Sequence, residues 1–360
     1  MKPLNVAIVG CGVIAGPYSK DILTHPELEL VGFYDLDPAR AQKHAAEYGG
    51  RVFGSYEEVL AAPDVDVVVN LTIHHAHHAV VKQALEAGKH VYGEKPLAMS
   101  YREAAELVRL AQDRGLRLAC APIVFLGEAQ QTAMRWVREG KLGTVRMVYA
   151  EVNHGRIEVW HPAPQPFYEV GPLFDVGVYP LTVLTALFGP ARRVSAYGTT
   201  LKPDRLTKRG VPFRVEGPDY LALHLEFEGG PVVRLTANFY VSHRTVQGEG
   251  IEFHGDAGSL HLVRWFERDA RLEYADFEKP YEPVPLDKTP ERGFDWSAGL
   301  LDMAEAIAQG RPQRVTGAQA AHVVEIQEAA YRSIETGRPV ELTSSFEVPA
   351  PMPYAAAEQA

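Results

Sequence analysis

The chain has 360 residues, 46% of them hydrophobic, with 36 Lys and Arg against 46 Asp and Glu and a formal net charge of -10. That length and composition describe a globular protein of two domains, each able to bury a core. An acidic balance without a basic cluster excludes a nucleic-acid groove, which needs concentrated Lys and Arg to displace counterions. Two cysteines, Cys11 and Cys120, are too few and too far apart for a disulfide framework. No run of about 18 apolar residues suggests a membrane span. The expectation is a reduced, cytoplasmic protein. The apolar stretch before Cys11 superficially imitates a lipoprotein signal, but it is short and interrupted by Asn5.

From Leu4 to about Pro122, nearly all-apolar runs alternate with helical stretches. The runs Asn5–Val9, Leu28–Tyr34, Val65–Thr72, His90–Gly93 and Leu116–Ala121 read as strands buried on both faces. Pro38–Tyr48, Ala76–Gly88 and Tyr101–Arg114 read as helices, the last opened by the capping box of Ser100 and Glu103 and stopped by Gly115. This pattern predicts a doubly wound α/β domain over residues 1–122, a parallel sheet with helices on both faces.

After a helix over Glu128–Glu139 the regime changes. Thr144–Asn153, Arg193–Thr199, Tyr220–Phe227, Val232–Tyr240 and Ile251–His254 are rich in Val, Tyr and Thr and often alternate, as a half-covered antiparallel sheet requires. Two helical patterns follow at Leu300–Ala308 and Ala318–Thr336. Residues 123–348 are therefore expected to form an α+β domain. The proline-rich stretches Trp160–Pro172 and Lys279–Pro290 read as ordered loops, and 349–360 as a flexible tail.

Gly10-Cys11-Gly12-Val13-Ile14-Ala15 follows the first strand and opens the first helix. This is the GxGxx(G/A) turn of dinucleotide-binding sites. Glycine is needed for the tight turn at Gly10 and for close approach of a pyrophosphate at Gly12, while Ala15 permits close helix-to-strand packing. Asp35 closes the second strand about 20 residues on, where a carboxylate accepts hydrogen bonds from ribose hydroxyls and repels a 2′-phosphate. NAD is thus favoured over NADP. Arg40 keeps NADP in play, as a residue able to swing toward a phosphate.

Further on stand Asn70-Leu71-Thr72-Ile73-His74-His75-Ala76-His77, Ala87-Gly88-Lys89-His90-Val91 and Glu94-Lys95-Pro96-Leu97-Ala98, then Asp175-Val176-Gly177-Val178-Tyr179, a turn from Gly255 to Leu260, and Thr336-Gly337-Arg338-Pro339-Val340. With the glycine turn, these segments resemble the glucose-fructose oxidoreductase/inositol dehydrogenase (Gfo/Idh/MocA) family over most of the chain. The resemblance implies a Rossmann domain for the dinucleotide, a second domain with a large open, mostly antiparallel sheet, and a homodimer or homotetramer assembled through that sheet. It also implies that Lys95 is the catalytic lysine, that Glu94 lines the nicotinamide pocket, and that Thr72 and His77 lie near the nicotinamide ribose. Ile73 and His74 depart from the family's usual Pro and Asn.

Lys95 follows a parallel strand's C-terminal end, where doubly wound sheets bind ligands, and Pro96 restrains its backbone to an extended form. A lysine buried beside a cofactor can exchange protons. Asp175 and Tyr179 are four apart and share one face if their segment is helical. The resemblance makes Asp175 the substrate-binding carboxylate and places Tyr179 where inositol dehydrogenases carry His and the glucose-fructose oxidoreductase and dihydrodiol dehydrogenase branches carry Tyr. Either Tyr179 passes the hydroxyl proton while Lys95 orients the oxygen, or Lys95 is the base and Tyr179 a donor. Trp160 and His161 offer a flat apolar face and a polar partner to a ring-shaped substrate, or else only close a packing loop. His74, His75, His77 and His78 have the spacing of a metal site but lack a completing Cys or carboxylate, so no metal is expected.

The sequence thus predicts a NAD(P)-dependent oxidoreductase acting on a secondary alcohol or ketone of a sugar, polyol or related cyclic alcohol. The alternatives are a NAD-dependent glycosidase using transient oxidation, which some relatives of this fold exemplify, and a non-catalytic dinucleotide-binding regulator.

Overall fold

The computed structural model describes residues 2–246, 248–264, 270–289 and 294–356. The chain forms two compact units, Met1–Ile123 with Asp295–Val324, and Val124–Phe294 with Glu325–Ala360. Where the sequence suggests one cut after residue 122, the chain returns to its first unit late. Asp295 accepts from the His25 ring at 2.7 Å, and Gln313 donates to the Leu118 carbonyl at 2.8 Å.

In the first unit, strands β1 (Leu4–Val9), β2 (Leu28–Tyr34), β3 (Arg51–Val52), β4 (Val67–Asn70), β5 (His90–Gly93) and β6 (Leu118–Cys120) form one parallel sheet. Their order is β3-β2-β1-β4-β5-β6. The chain direction across the sheet reverses beside β1, which opens a crevice between β1 and β4 at the strands' C-terminal ends. Val6, Ile8 and Val67 to Val69 are wholly buried, as strands covered on both faces must be.

Helices α1 (Ala15–Ile22), α2 (Pro38–Tyr48), α3 (Tyr56–Ala61), α4 (His77–Glu86) and α5 (Tyr101–Asp113) connect these strands. Ser100 Oγ accepts from Glu103 N at 3.3 Å, the expected cap of α5. Neither β3 nor α3 is anticipated, since two and six residues are too few to show a period. Lys89 turns out to be a structural tie: its ammonium donates to the Ala62 and Val65 carbonyls at 2.7 and 2.8 Å.

The second unit begins with α6 (Glu128–Arg138), β7 (Val145–Asn153), α7 (Ile157–Trp160), α8 (Gln165–Val170) and α9 (Val178–Phe188). Then come β8 (Ala191–Thr199), the hairpin β9 (Asp204–Leu206) and β10 (Pro212–Arg214), β11 (Tyr220–Phe227), β12 (Val232–Asn238), β13 (Glu249–Gly255), β14 (Gly258–Val263), β15 (Arg271–Ala275), β16 (Glu282–Val284) and β17 (Val340–Glu341). The nine-stranded sheet runs β16-β15-β14-β13-β7-β12-β11-β8-β17 and is antiparallel except where β7 pairs with β12. Val148, Ala150, Leu223, Leu235, Phe253 and Leu260 are buried on one face, while Tyr149, Tyr197, His224, Arg234 and Glu252 occupy the other, partly exposed.

Three expectations need correction. The stretch 160–172 contains the end of α7 and all of α8, and 279–290 contains β16, with Pro290 outside the described residues. The tail is tied down through residue 356: Met352 N donates to Gln131 Oε1 at 2.9 Å and the Tyr354 hydroxyl to the Leu126 carbonyl at 3.3 Å. Residues 357–360 lie outside the described part. No described helix is long and apolar enough to cross a membrane.

Candidate active site

The glycine turn sits at the crevice beside β1. Gly10 has φ +96°, and a Cβ there would lie 2.7 Å from the Leu71 and Thr72 backbone, so no side chain fits where the β1 turn meets the end of β4. At Gly12 a Cβ would meet nothing within 4 Å, leaving open space for a ligand's close approach. The start of α1 has neither a side-chain cap nor an acidic residue in its first turn, so its N–H groups suit an anion. Ala15 is wholly buried against the sheet.

Asp35 is held where the sequence expects it. Its carboxylate accepts from Cys11 N at 2.7 Å and from Asp37 N at 2.8 Å, which joins the end of β2 to the glycine turn and leaves lone pairs for ribose hydroxyls. Burial, aided by the Asp35 charge, pushes the Cys11 thiol up to about 12, so this cysteine stays protonated. Arg40 pairs with Asp37 at 3.4 Å on the surface.

Around this turn stand large apolar side chains left in solvent: Val13 is 96%, Leu36 90% and Ile73 70% exposed. They follow β1, β2 and β4 in turn, and three such groups at strand ends are suited to covering an apolar ring system. Leu36 was not anticipated. Ile73, a departure from the family's proline, keeps an apolar surface.

The Glu94-Lys95-Pro96 turn leaves β5. Glu94 Oε1 accepts from the Tyr18 hydroxyl at 2.7 Å, and Glu94 N donates to the Asn70 carbonyl at 3.0 Å. Lys95 is half-buried and Pro96 buried. The Thr72 hydroxyl donates to Asn70 Oδ1 at 2.7 Å, and Asn70 itself is wholly buried with its Nδ2 unpartnered. Asn70 and Tyr18 are the residues that sequence reasoning passed over here.

His77, expected near the nicotinamide ribose, is a buried ring. It is 2% exposed, with Nδ1 2.6 Å from the Pro96 carbonyl and Nε2 3.0 Å from the Thr72 carbonyl. Both ring nitrogens thus lie at main-chain carbonyls, one in the turn after β4 and one in the turn after β5. The other histidines disperse: the His74 and His75 rings lie 4.1 Å apart and are tilted by 50°, and His78 meets Glu106 at 3.1 Å. Among the described residues no three metal-binding side chains converge.

In the second unit, Leu173–Gly177 forms a π-helical turn that runs into α9. Over residues 171–187 every residue is buried except Asp175 and Tyr179, which are half-buried. Pro180 is tolerated because the first turn of α9 needs no N–H partner there.

Trp160 and His161 belong to an aromatic group: Trp160 lies 5.8 Å from His154 and Phe167, and His161 4.7 Å from Phe167, all edge to face. Trp160 remains 46% exposed. Beneath them Arg205, wholly buried, donates to Glu158 at 2.8 Å, to the Tyr168 hydroxyl at 2.7 Å and to Asp219.

Comparison with known proteins agrees with this architecture. Residues 4–121 match the family model described as "Oxidoreductase family, NAD-binding Rossmann fold", and residues 130–261 match the GFO/IDH/MocA C-terminal domain. The chain is 27% identical over 300 residues to a trans-1,2-dihydrobenzene-1,2-diol dehydrogenase of Bos taurus, covering 82% of this chain and 84% of that one. The Homo sapiens enzyme of the same name is 26% identical over 312 residues, covering 85% and 89%. An aldose-aldose oxidoreductase from Caulobacter crescentus shares the fold at TM-score 0.81 and 23% identity, over 95% of this chain and 100% of that one. A levoglucosan dehydrogenase, solved with NADH and L-sorbose, shares it at TM-score 0.82 and 21% identity, over 96% and 100%. With both of its domain models matched in order, the chain belongs to the Gfo/Idh/MocA oxidoreductase family, and its first unit carries that family's NAD-binding Rossmann fold.

Proposed function

We propose that this oxidoreductase interconverts a secondary alcohol and a ketone on a sugar, polyol or related cyclic alcohol, preferring NAD(H) to NADP(H). The observation that carries the reading is the convergence, at the C-terminal ends of one parallel sheet, of the Gly10 turn, the Asp35 carboxylate tied to Cys11 N, and the Glu94-Lys95-Pro96 turn. The bound nicotinamide supplies hydride acceptance and donation. Gly10, Gly12, Val13 and Ile14 form the pyrophosphate turn, Asp35 takes the adenosine ribose hydroxyls, and Thr72 and Glu94 border the nicotinamide end.

Lys95 and Tyr179 manage the proton of the reacting hydroxyl, one exchanging it and the other orienting the oxygen. Asp175 binds a substrate hydroxyl, and Trp160 and His161 hold the substrate ring. Positioning supplies a large part of the acceleration. The names of relatives, dihydrodiol and levoglucosan dehydrogenases, support a cyclic alcohol. We also propose self-association through the open face of the nine-stranded sheet.

The test is titration with NADH and NADPH, followed by a panel of sugars, polyols and cyclic diols read at the nicotinamide absorbance. One alcohol should drive reduction of NAD, and Lys95→Ala should lower kcat by about 10²- to 10⁴-fold while NADH still binds. A Lys95→Ala protein with undiminished turnover overturns the role of Lys95. Turnover of a glycoside without net NADH formation replaces the dehydrogenase by the glycosidase reading, and cofactor binding with no turnover on any substrate favours the regulator.

A further inference from the structure

The Glu94-Lys95-Pro96 turn is gripped at both ends by side chains that never reach the open crevice. Tyr18, on α1 just past the glycine turn, is 1% exposed and donates its hydroxyl to Glu94 Oε1 at 2.7 Å. Its ring is fixed by Tyr92 at 6.0 Å and Trp296 at 5.7 Å. Packing alone asks only for a phenyl group in that place. The hydroxyl is explained by its partner, since a buried hydroxyl without one costs free energy.

Burial, then the Glu94 charge, pushes the Tyr18 phenol well above its ordinary value, so it remains a donor. At the other end the His77 ring spans the Pro96 and Thr72 carbonyls. Carbonyl oxygens only accept, so the ring nitrogen that carries the proton donates to one of them, and the ring sits between the turn after β5 and the turn after β4. Glu94 N completes the grip by donating to the Asn70 carbonyl at 3.0 Å.

We infer that Tyr18 and His77 are positioning residues that set the Glu94-Lys95-Pro96 turn for the nicotinamide half of the cofactor, Tyr18 acting through Glu94 and His77 through the Pro96 and Thr72 backbone. Both side chains are buried, Tyr18 at 1% and His77 at 2% exposure. The inference rests on the proposed role of Glu94 and Lys95 at the nicotinamide end. It predicts a separation that ordinary destabilisation does not produce: loss of either brace weakens binding of the nicotinamide half and spares the adenosine half, held by Gly10, Gly12 and Asp35.

The experiment compares NADH with ADP-ribose, which keeps the adenosine and pyrophosphate but lacks nicotinamide, by calorimetric titration of the full chain. Tyr18→Phe should raise the Kd for NADH by about 3- to 10-fold, the equivalent of one buried hydrogen bond, with the Kd for ADP-ribose unchanged. In a Glu94→Ala background, Tyr18→Phe should have no further effect on NADH, because the partner through which it acts is gone. His77→Ala should also weaken NADH selectively, with partial recovery in His77→Gln, whose amide keeps N–H donors.

Should His77→Ala fail to fold, Tyr18→Phe, which preserves the ring, still decides for its own end of the turn. Equal losses for both ligands, no loss at all, or a Tyr18→Phe effect that persists without Glu94 overturn the inference. A wild-type protein that binds neither NADH nor ADP-ribose overturns the cofactor reading itself, a failure distinct from that of the variants.

Discussion

At the residue scale, Asp35 performs two tasks with one carboxylate. Its hydrogen bonds from Cys11 N and Asp37 N fix it beside the glycine turn, and its remaining lone pairs are those proposed to take the ribose hydroxyls. Asp35→Ser should therefore raise the Kd for NADH about tenfold, the loss of one charge-assisted hydrogen bond, while relieving repulsion of a 2′-phosphate. Parallel NADH and NADPH titrations check this: the ratio of the two affinities should fall, and an unchanged ratio removes Asp35 from cofactor selection. Lys95, Asp175 and Tyr179 are proposed from the sequence because their neighbours in sequence form recognisable segments. Tyr18 is not singled out by its neighbours, because its meaning comes from Glu94, 76 residues away, and sequence alone does not show that the His77 ring lies between two carbonyls.

At the element scale, buried charge organises the segment that carries Trp160 and His161. Arg205 holds Glu158 of α7, Tyr168 of α8 and Asp219 together, with its own side chain and that of Asp219 wholly buried. Arg205→Met leaves two carboxylates without their cation. The expected cost is about 3–5 kcal/mol, since breaking a buried pair strands its partner, read by denaturant unfolding with Trp fluorescence; a change below about 1 kcal/mol refutes the organising role.

Glu325 does the same for the C-terminal segment, accepting from Thr343 N and Oγ1 at 2.8 and 2.7 Å, from Ser344 N at 2.9 Å and from the Ser344 hydroxyl. Burial alone raises its carboxyl, but these hydrogen bonds outweigh it and hold the group below its ordinary value. A depressed folded pKa stabilises above the unfolded value, and that stability disappears as pH falls through the folded one. Wild type should therefore lose more stability than Glu325→Gln between neutral pH and the low end of the carboxylate range; parallel pH curves for the two count against this. Elements such as α9, mostly apolar and almost wholly buried, and the three-residue strands β9, β10 and β16 escaped prediction because amphipathic period needs both a polar face and length.

At the scale of the whole molecule, the open face of the nine-stranded sheet is its largest surface of regular alternation. Across it run His224, Arg234, Tyr149 and Glu252 as cross-strand neighbours, with Arg234 stacked 4.0 Å over Tyr149 and paired to Glu151 at 2.7 Å. Tyr197, 64% exposed, stands on the same face. If copies associate there, Tyr197→Glu should shift sedimentation velocity toward the monomer without altering far-UV circular dichroism; an unchanged oligomer, or a monomeric wild type, excludes that face.

The sequence by itself determined the two kinds of sheet, the glycine turn with its acidic partner, and the Glu94-Lys95-Pro96 segment after β5, because each depends on local period, glycine stereochemistry or contiguous residues. Only the tertiary structure decided that residues 295–324 rejoin the first unit, that Asp175 and Tyr179 are the half-buried residues of an otherwise buried stretch, that the His77 ring meets the Pro96 carbonyl, and that the Tyr18 hydroxyl donates to Glu94. Those are contacts between positions far apart in the chain. Burial and through-space partners set them, and neither is written in a residue's neighbours.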